Sequence, residues 1–175
     1  MKRRELREHI FRLLFRVEFN DAADMPEQVA LYMEDLPMAG EQDRRYIEKK
    51  YELVMEHLEK IDEMLNEAAT GWKVSRMGKV ELTILRLAAY EIYFDEDVPT
   101  SVAINEAVEM AKEFGGDESP AFINGVLGKL VKAETTEADS SRSAKTETDG
   151  EKPVKEAEQK EAEQKEAAVS EPKEV

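Results

Sequence analysis

The chain has 175 residues, with 25 basic and 40 acidic side chains, a formal charge of −15, 2 histidines and no cysteine. That length suits one domain with a real core. The missing cysteine excludes a disulfide framework, a thiolate metal site and a cysteine nucleophile, and His9 and His57 alone cannot build a histidine-rich metal site. The charged N-terminus lacks the apolar core of about 7–15 residues that marks a secretory leader. No apolar run approaches the roughly 18 residues of a membrane span, so the expectation is a cytoplasmic protein without membrane contact.

In chain order, the text reads as helix almost throughout. Leu6, Ile10, Leu13, Leu14 and Val17 recur at helical spacing and form one stripe of a first helix. Pro26 opens a short second helix that stops near Asp35, before Pro37 and Gly40. Residues 42–70 carry helical spacing through Tyr46, Tyr51, Leu53, Val54, Leu58, Ile61 and Leu65, read as two helices with a break near 57–60. Gly71 and Trp72 punctuate. Leu82, Leu85, Ala89 and Ile92 mark a central helix, ended by an acidic loop before Pro99. A further helix from Val102 stops at Gly115-Gly116, by the glycine C-terminal rule. Ser119-Pro120 then fits an N-cap followed by proline at the first helical position. Phe122, Ile123, Val126, Leu127 and Leu130 give the last helix its buried face. No run alternates with period two, so the expected fold is an all-α bundle of about seven helices.

Composition shifts after Lys132. Residues 133–175 contain no Leu, Ile, Met, Phe, Tyr or Trp and carry a net −6, with a near-repeat KEAEQ-KEAEQ-KEAAV from Lys155 to Val169. Such a segment cannot bury enough apolar surface to offset its ordering entropy. The expected organisation is a folded domain over 1–132 and a disordered acidic tail with nascent helix over 133–175.

Charge is distributed unevenly. Residues 2–16 hold six basic and two acidic side chains, whereas residues 17–132 carry a net −13. On the first helix Phe11, Phe15 and Phe19, spaced by four, form a second stripe, bordered by Arg3, Arg4 and Arg7 on one side and Arg12 and Arg16 on the other. One reading is a surface for an extended anion, with arginines on phosphates and ring faces on unpaired bases. The other is a helix packed on two sides, with its arginines paired to acidic neighbours. Both remain open on the helix alone.

Enzyme signatures are missing from the text. There is no G-x-x-x-x-G-K-[ST] loop, no G-x-G-x-x-G and no H-E-x-x-H or E-x-x-H helix. No catalytic residue, metal site or cofactor is therefore expected. Arg86, Asn105, Glu106 and Asn124 are polar residues within apolar helical stretches. For Arg86 and Asn124 the favoured role is satisfying partners between helices and fixing register.

Residues 72–130 are more specific. WKVSRMGKVELTILRLAAYEI from Trp72, followed by VPTSVAINEAVEMAKEFGGDESPAFINGVLGKL from Val98, closely resembles the C-terminal half of the NusB family. The order and gaps of the Leu-Arg-x-Ala-x-Tyr-Glu, V-A-I-N-E-A-V, A-K-x-F-G and F-I-N-G-V-L pieces match. The N-terminal half matches more loosely, with an arginine-rich first helix and Phe15 where the family carries a tyrosine. The resemblance covers about 1–132.

It implies seven helices in two three-helix subdomains, and an antitermination factor rather than an enzyme. Such proteins bind the boxA element of nascent ribosomal RNA leaders together with NusE, a ribosomal small-subunit protein. The pair then joins RNA polymerase and other Nus factors. The resemblance places RNA contacts at Arg4 and Arg7, then Phe15, then Phe114, Glu118 and Phe122, with Lys2, Arg3 and Arg12 as helpers on phosphates. Glu118 stands where the family often has aspartate. Glu81 resembles the position at the NusE interface. A homodimer of the free protein is left open. A NusB-like domain preceding a ribosomal RNA methyltransferase would need a Gly-rich cofactor loop and a catalytic cysteine, and this chain has neither. A helical protein-interaction adaptor that never touches RNA is the reading from a different class.

Overall fold

The computed structural model describes the backbone of residues 1–36 and 38–146 and the side chains of those residues up to Ala133. Seven α-helices make up the described residues, with no strand among them: α1 (Arg3–Arg16), α2 (Met25–Glu34), α3 (Glu41–Glu56), α4 (Leu58–Ala68), α5 (Lys79–Phe94), α6 (Thr100–Phe114) and α7 (Ser119–Thr146). A 3-10 turn, Val74–Arg76, precedes α5. Met1–Thr135 form one compact unit. The boundary expected after Lys132 thus falls inside α7, whose backbone continues to Thr146. Residues 147–175, the greater part of the expected disordered tail, lie outside the described residues.

Helix ends follow local chemistry. At the start of α1 the Lys2 backbone N–H donates to Glu5 at 2.8 Å, which satisfies one of the orphan donors of the first turn. Arg44 closes α2 by donating to the carbonyls of Met33, Leu36 (2.6 Å) and Ala39 (3.2 Å). The break expected near 57–60 is at His57, whose Nδ1 lies 2.8 Å from the Leu53 carbonyl at the end of α3. Gly71 sits at φ +85, the left-handed region that favours glycine, between α4 and Trp72.

The turn from α6 to α7 departs from expectation in two ways. Gly115 is extended (φ −97, ψ −177), not left-handed, so it does not end α6 by the usual glycine cap. Space is what requires glycine: a Cβ there would lie 2.6 Å from Ser119 Oγ and 2.8 Å from the Ala111 carbonyl. Ser119 is not the N-cap but the first helical residue, since the Phe122 N–H bonds to the Glu118 carbonyl at 3.1 Å. Its hydroxyl accepts from the Gly116 N–H at 3.0 Å and donates to Glu81.

Helices α2 and α3 both pack on α1, and α4 and α6 both pack on α5 as a second group. Helix α5 also lies against α1 and α3, so the two groups share one continuous core. That central position explains its composition. Leu82, Ile84, Leu85, Leu87, Ala88, Ala89 and Tyr90 are all buried, covering most of the circumference. The last helix adds Ile123, Val126, Leu127 and Leu130 to the core, and Tyr93 Oη donates to the Leu130 carbonyl at 2.8 Å.

Two polar clusters fix α1 along α5. Arg7 Nε donates to both carboxylate oxygens of Glu91, at 3.0 and 3.1 Å. Just beyond the far end of α1, Glu18 accepts from Arg86 and, at 3.0 Å, from Lys79. Arg86 also holds Asp62 of α4 through two bonds of 2.8 and 2.9 Å. The expected interhelical role of Arg86 is what the structure shows, whereas Asn124 and Asn105 are exposed. Burial pushes the Glu18 carboxyl up, but its bonds to Lys79 and Arg86 outweigh that and hold it below the ordinary glutamate range. A depressed folded-state value contributes stability above the unfolded value and loses it as pH falls through the folded one. Glu18→Gln is therefore expected to lower the urea midpoint at neutral pH. The difference from the parent should vanish once pH has fallen below the carboxylate range.

Candidate nucleic-acid interface

The face of α1 turned away from its aliphatic stripe carries a row of rings. Spacing by four places Phe11 and Phe15 one above the other on the helix, with Phe19 in the turn beyond it. Phe11 and Phe15 stack at 5.9 Å between centroids, and Phe15 meets Phe19 edge-on at 5.0 Å. Phe114, the last residue of α6, extends the row by stacking on Phe11 at 4.8 Å. Phe11 is buried and anchors the row, Phe15 and Phe114 are half-buried, and Phe19 is 61% exposed. A cation stands at each end. The Arg12 guanidinium lies 5.7 Å from the Phe114 centroid and the Lys79 ammonium 5.6 Å from that of Phe19. Ring faces flanked by cations suit unpaired bases on an anionic backbone.

The basic residues expected to hold phosphates do not share one environment. Lys2, Arg3, Arg4 and Arg12 are exposed. Arg4 lies 3.3 Å from Glu113 and 3.4 Å from Glu8, pairs open enough to exchange for a phosphate. The hydrogen bond that Arg4 donates to Glu113 holds it above the ordinary arginine value, so its charge is permanent. Arg7 is different. It is 8% exposed and is bound by Glu91, with Glu106 at 3.3 Å. Its guanidinium sits beneath the surface and ties α1 to α5 and α6 from within. Burial pushes the Glu91 carboxyl up, and the Arg7 charge and hydrogen bonds pull it back only in part. His9 adds no charge to this face at neutral pH. Burial, helped by the positive Arg12, holds it below the ordinary histidine range, with Nδ1 2.6 Å from Tyr32 Oη.

A groove of ≈ 230 Å³ adjoins the row and gathers three more expected residues: Glu81, Glu118 and Phe122, beside Trp72 and Ser119. Trp72, 56% exposed, meets the Phe122 ring edge-on at 6.2 Å. Glu81 is held by the Ser119 hydroxyl, which ties the start of α5 to the start of α7. The groove borders the row of rings twice in the chain, since Gly78 of its lining precedes Lys79, and Glu118 follows the turn after Phe114. Expected RNA-side and partner-side residues thus share one surface region. The sequence reading left Phe11, Phe19, Trp72 and Lys79 out of the site. The phenylalanines were signalled by their spacing, but Lys79 joins Phe19 across 60 residues of chain and left no local signal. Among the described residues no cluster of His, Asp and Glu is arranged to hold a metal ion.

Known proteins match the chain in sequence and in fold. The NusB family model matches residues 4–132. The transcription antitermination protein NusB of Agathobacter rectalis is 50% identical over 131 residues, spanning 75% of this chain and 100% of that protein. That of Lachnoclostridium phytofermentans is 48% identical over 131 residues, spanning 75% and 99%. Among solved structures, T. maritima NusB superposes with a TM-score of 0.68 at 31% identity, covering 75% of this chain and 92% of that one. A crystal structure of antitermination factors NusB and NusE in complex with dsRNA shares the fold, with a TM-score of 0.64 at 22% identity over 75% and 96% of the two chains.

The contrast between the two arginines is measurable. Arg7→Ala leaves the Glu91 carboxylate buried without its partner, and urea denaturation is expected to show a loss on the order of 3–5 kcal/mol. Arg4→Ala removes only exposed pairs and should leave the midpoint unchanged.

Proposed function

Because the chain belongs to the NusB family of transcription antitermination proteins, a family that is not enzymatic, we propose that it binds the boxA element of nascent ribosomal RNA leaders together with NusE. Through that pair it joins RNA polymerase and other Nus factors in the cytoplasm and keeps transcription of ribosomal RNA operons processive. The observation that carries this reading is the row Phe114–Phe11–Phe15–Phe19, flanked by Arg12 and Lys79 and built mainly on the arginine-rich start of an acidic chain. The crystal structure of NusB and NusE in complex with dsRNA adds that a protein of this fold forms such an assembly.

Each group has a role in this proposal. Arg4 and Arg12, with Lys2 and Arg3, hold phosphates and make affinity salt-dependent. Phe15, Phe114 and Phe122 offer ring faces to splayed bases, and a phenylalanine at position 15 stacks without the hydrogen bond a tyrosine hydroxyl would add. Glu118 accepts from exocyclic amines on base edges. Arg7 acts through α1, setting the height and angle of the rings above it. Glu81 faces NusE, with the Ser119 hydroxyl holding its carboxylate in place. The net −13 over residues 17–132 repels RNA that lacks the matching contacts and makes tight binding depend on NusE.

The test is binding of labelled boxA RNA and a scrambled control to the full chain, with and without NusE, across a salt series. Selective binding strengthened by NusE is expected. Phe15→Ala should weaken it by roughly 5–150-fold, the effect of losing one stacked base. Arg12→Ala should lower the slope of log K against log salt by about 0.7. Equal, weak binding to both RNAs, unaffected by NusE, would refute the proposal and favour a protein-interaction adaptor.

A further inference from the structure

A second groove, of ≈ 700 Å³, opens between the end of α1, α2 and α3. Its floor is apolar: Met25, Val29 and Tyr51 are buried, and Met55 is half-buried. Three glutamates, Glu48, Glu52 and Glu56, line one wall. They are spaced by four along α3 and all exposed, so they form a straight acidic rail of about 12 Å at 1.5 Å per residue.

The rail is unfavourable within the chain itself. Like charges at i, i+4 repel one another and weaken a helix. None of the three forms an ion pair among the described residues. The cation best placed to relieve Glu48, Arg44 one turn earlier, is committed to the carbonyls that end α2. The opposite side of the groove, on and before α2, supplies no cation: Asn20, Ala22, Pro26 and Ala30 line it, and the exposed charges on that stretch of chain, Asp21, Asp24 and Glu27, are acidic.

We propose that this groove docks a cationic amphipathic helix of a partner protein, with apolar side chains seated over Met25, Val29, Tyr51 and Met55, and lysines or arginines running along Glu48, Glu52 and Glu56. A helix presents that combination naturally, as apolar anchors at i, i+3/i+4 and i+7 bordered by a charged stripe of matching pitch. Charge complementarity selects this occupant over the others. Phosphate is repelled by the glutamate wall and finds no cation in the lining, so the groove is not a continuation of the RNA face. The chain's own residues 133–175 carry a net −6 and mismatch the rail.

The probe is a labelled synthetic helix of about four turns with leucines on one face and lysines beside them. It is compared with a lysine-matched peptide whose leucines are serine and with one whose lysines are glutamate. Methyl NMR of the full chain reads the position through Met25 and Met55. The leucine–lysine peptide should bind with salt-dependent affinity and shift both methyl signals, and the two controls should not. Glu48→Gln, Glu52→Gln and Glu56→Gln together should weaken it at least 10-fold. Ala30→Arg, an exposed position on the groove lining, should abolish binding while RNA affinity stays unchanged. Equal binding of the serine peptide would reduce the groove to a non-specific acidic surface and overturn the proposal. So would binding of the acidic peptide, or self-association of the free chain that Ala30→Arg abolishes.

Discussion

The attachment of α1 to α5 is the constraint on which the rest depends. Two polar clusters secure it, Arg7–Glu91 near the start of α1 and Glu18–Arg86 just beyond its end. They run antiparallel along α5, since the later residue on one side meets the earlier residue on the other. A smooth apolar contact would let α1 slide or roll by a fraction of a turn. The buried Arg7–Glu91 pair resists that, because any slip strands its charges in the core, and the half-buried Glu18–Arg86 pair adds a second fixed set of hydrogen bonds. The register so set turns Phe11, Phe15 and Phe19 to one side, brings Phe114 over Phe11, and places Lys79 over Phe19. A binding face assembled from α1, the end of α6 and the start of α5 is accurate only to the extent that these helices hold their places.

The helices were legible in the sequence because their apolar spacing is strong. Proline and glycine marked most ends, and His57 falls within the expected break. Other features needed the third dimension. Gly115 reads as a conformational stop, but it is glycine because Ser119 packs against it. Arg4 and Arg7 look alike on a helical wheel, yet one faces solvent and the other meets Glu91 and Glu106, more than 80 residues away in the chain. No local pattern separates them, and only the position of α5 does. Asn124, flanked by Ile123 and Val126, reads as an interior polar residue and is exposed instead. For the candidate site, motif resemblance pointed to Glu118 and Phe122, which the structure places on one groove, and spacing pointed to the phenylalanine row. Neither indicated that Trp72 closes the groove beside Phe122.

Electrostatics divides the molecule's tasks. Residues 2–16 are net basic while residues 17–132 are net acidic, so in the proposed function RNA meets an attractive strip within a largely repulsive field. Weak unspecific attraction is thereby suppressed, and affinity must come from stacking and from partners that add contacts of their own. The acidic rail on α3 belongs to the same division. It contributes to the repulsion of RNA and offers a complementary surface to cationic protein segments.

Photo-crosslinking tests the central claim most directly. The boxA RNA would carry 4-thiouridine, the full chain would be bound to it with NusE, and crosslinked residues would be mapped by mass spectrometry. The account predicts sequence-dependent crosslinks at Phe15, Phe19, Phe114 and Phe122. Crosslinks concentrated on α2 and α3, or equally abundant with scrambled RNA, would contradict it.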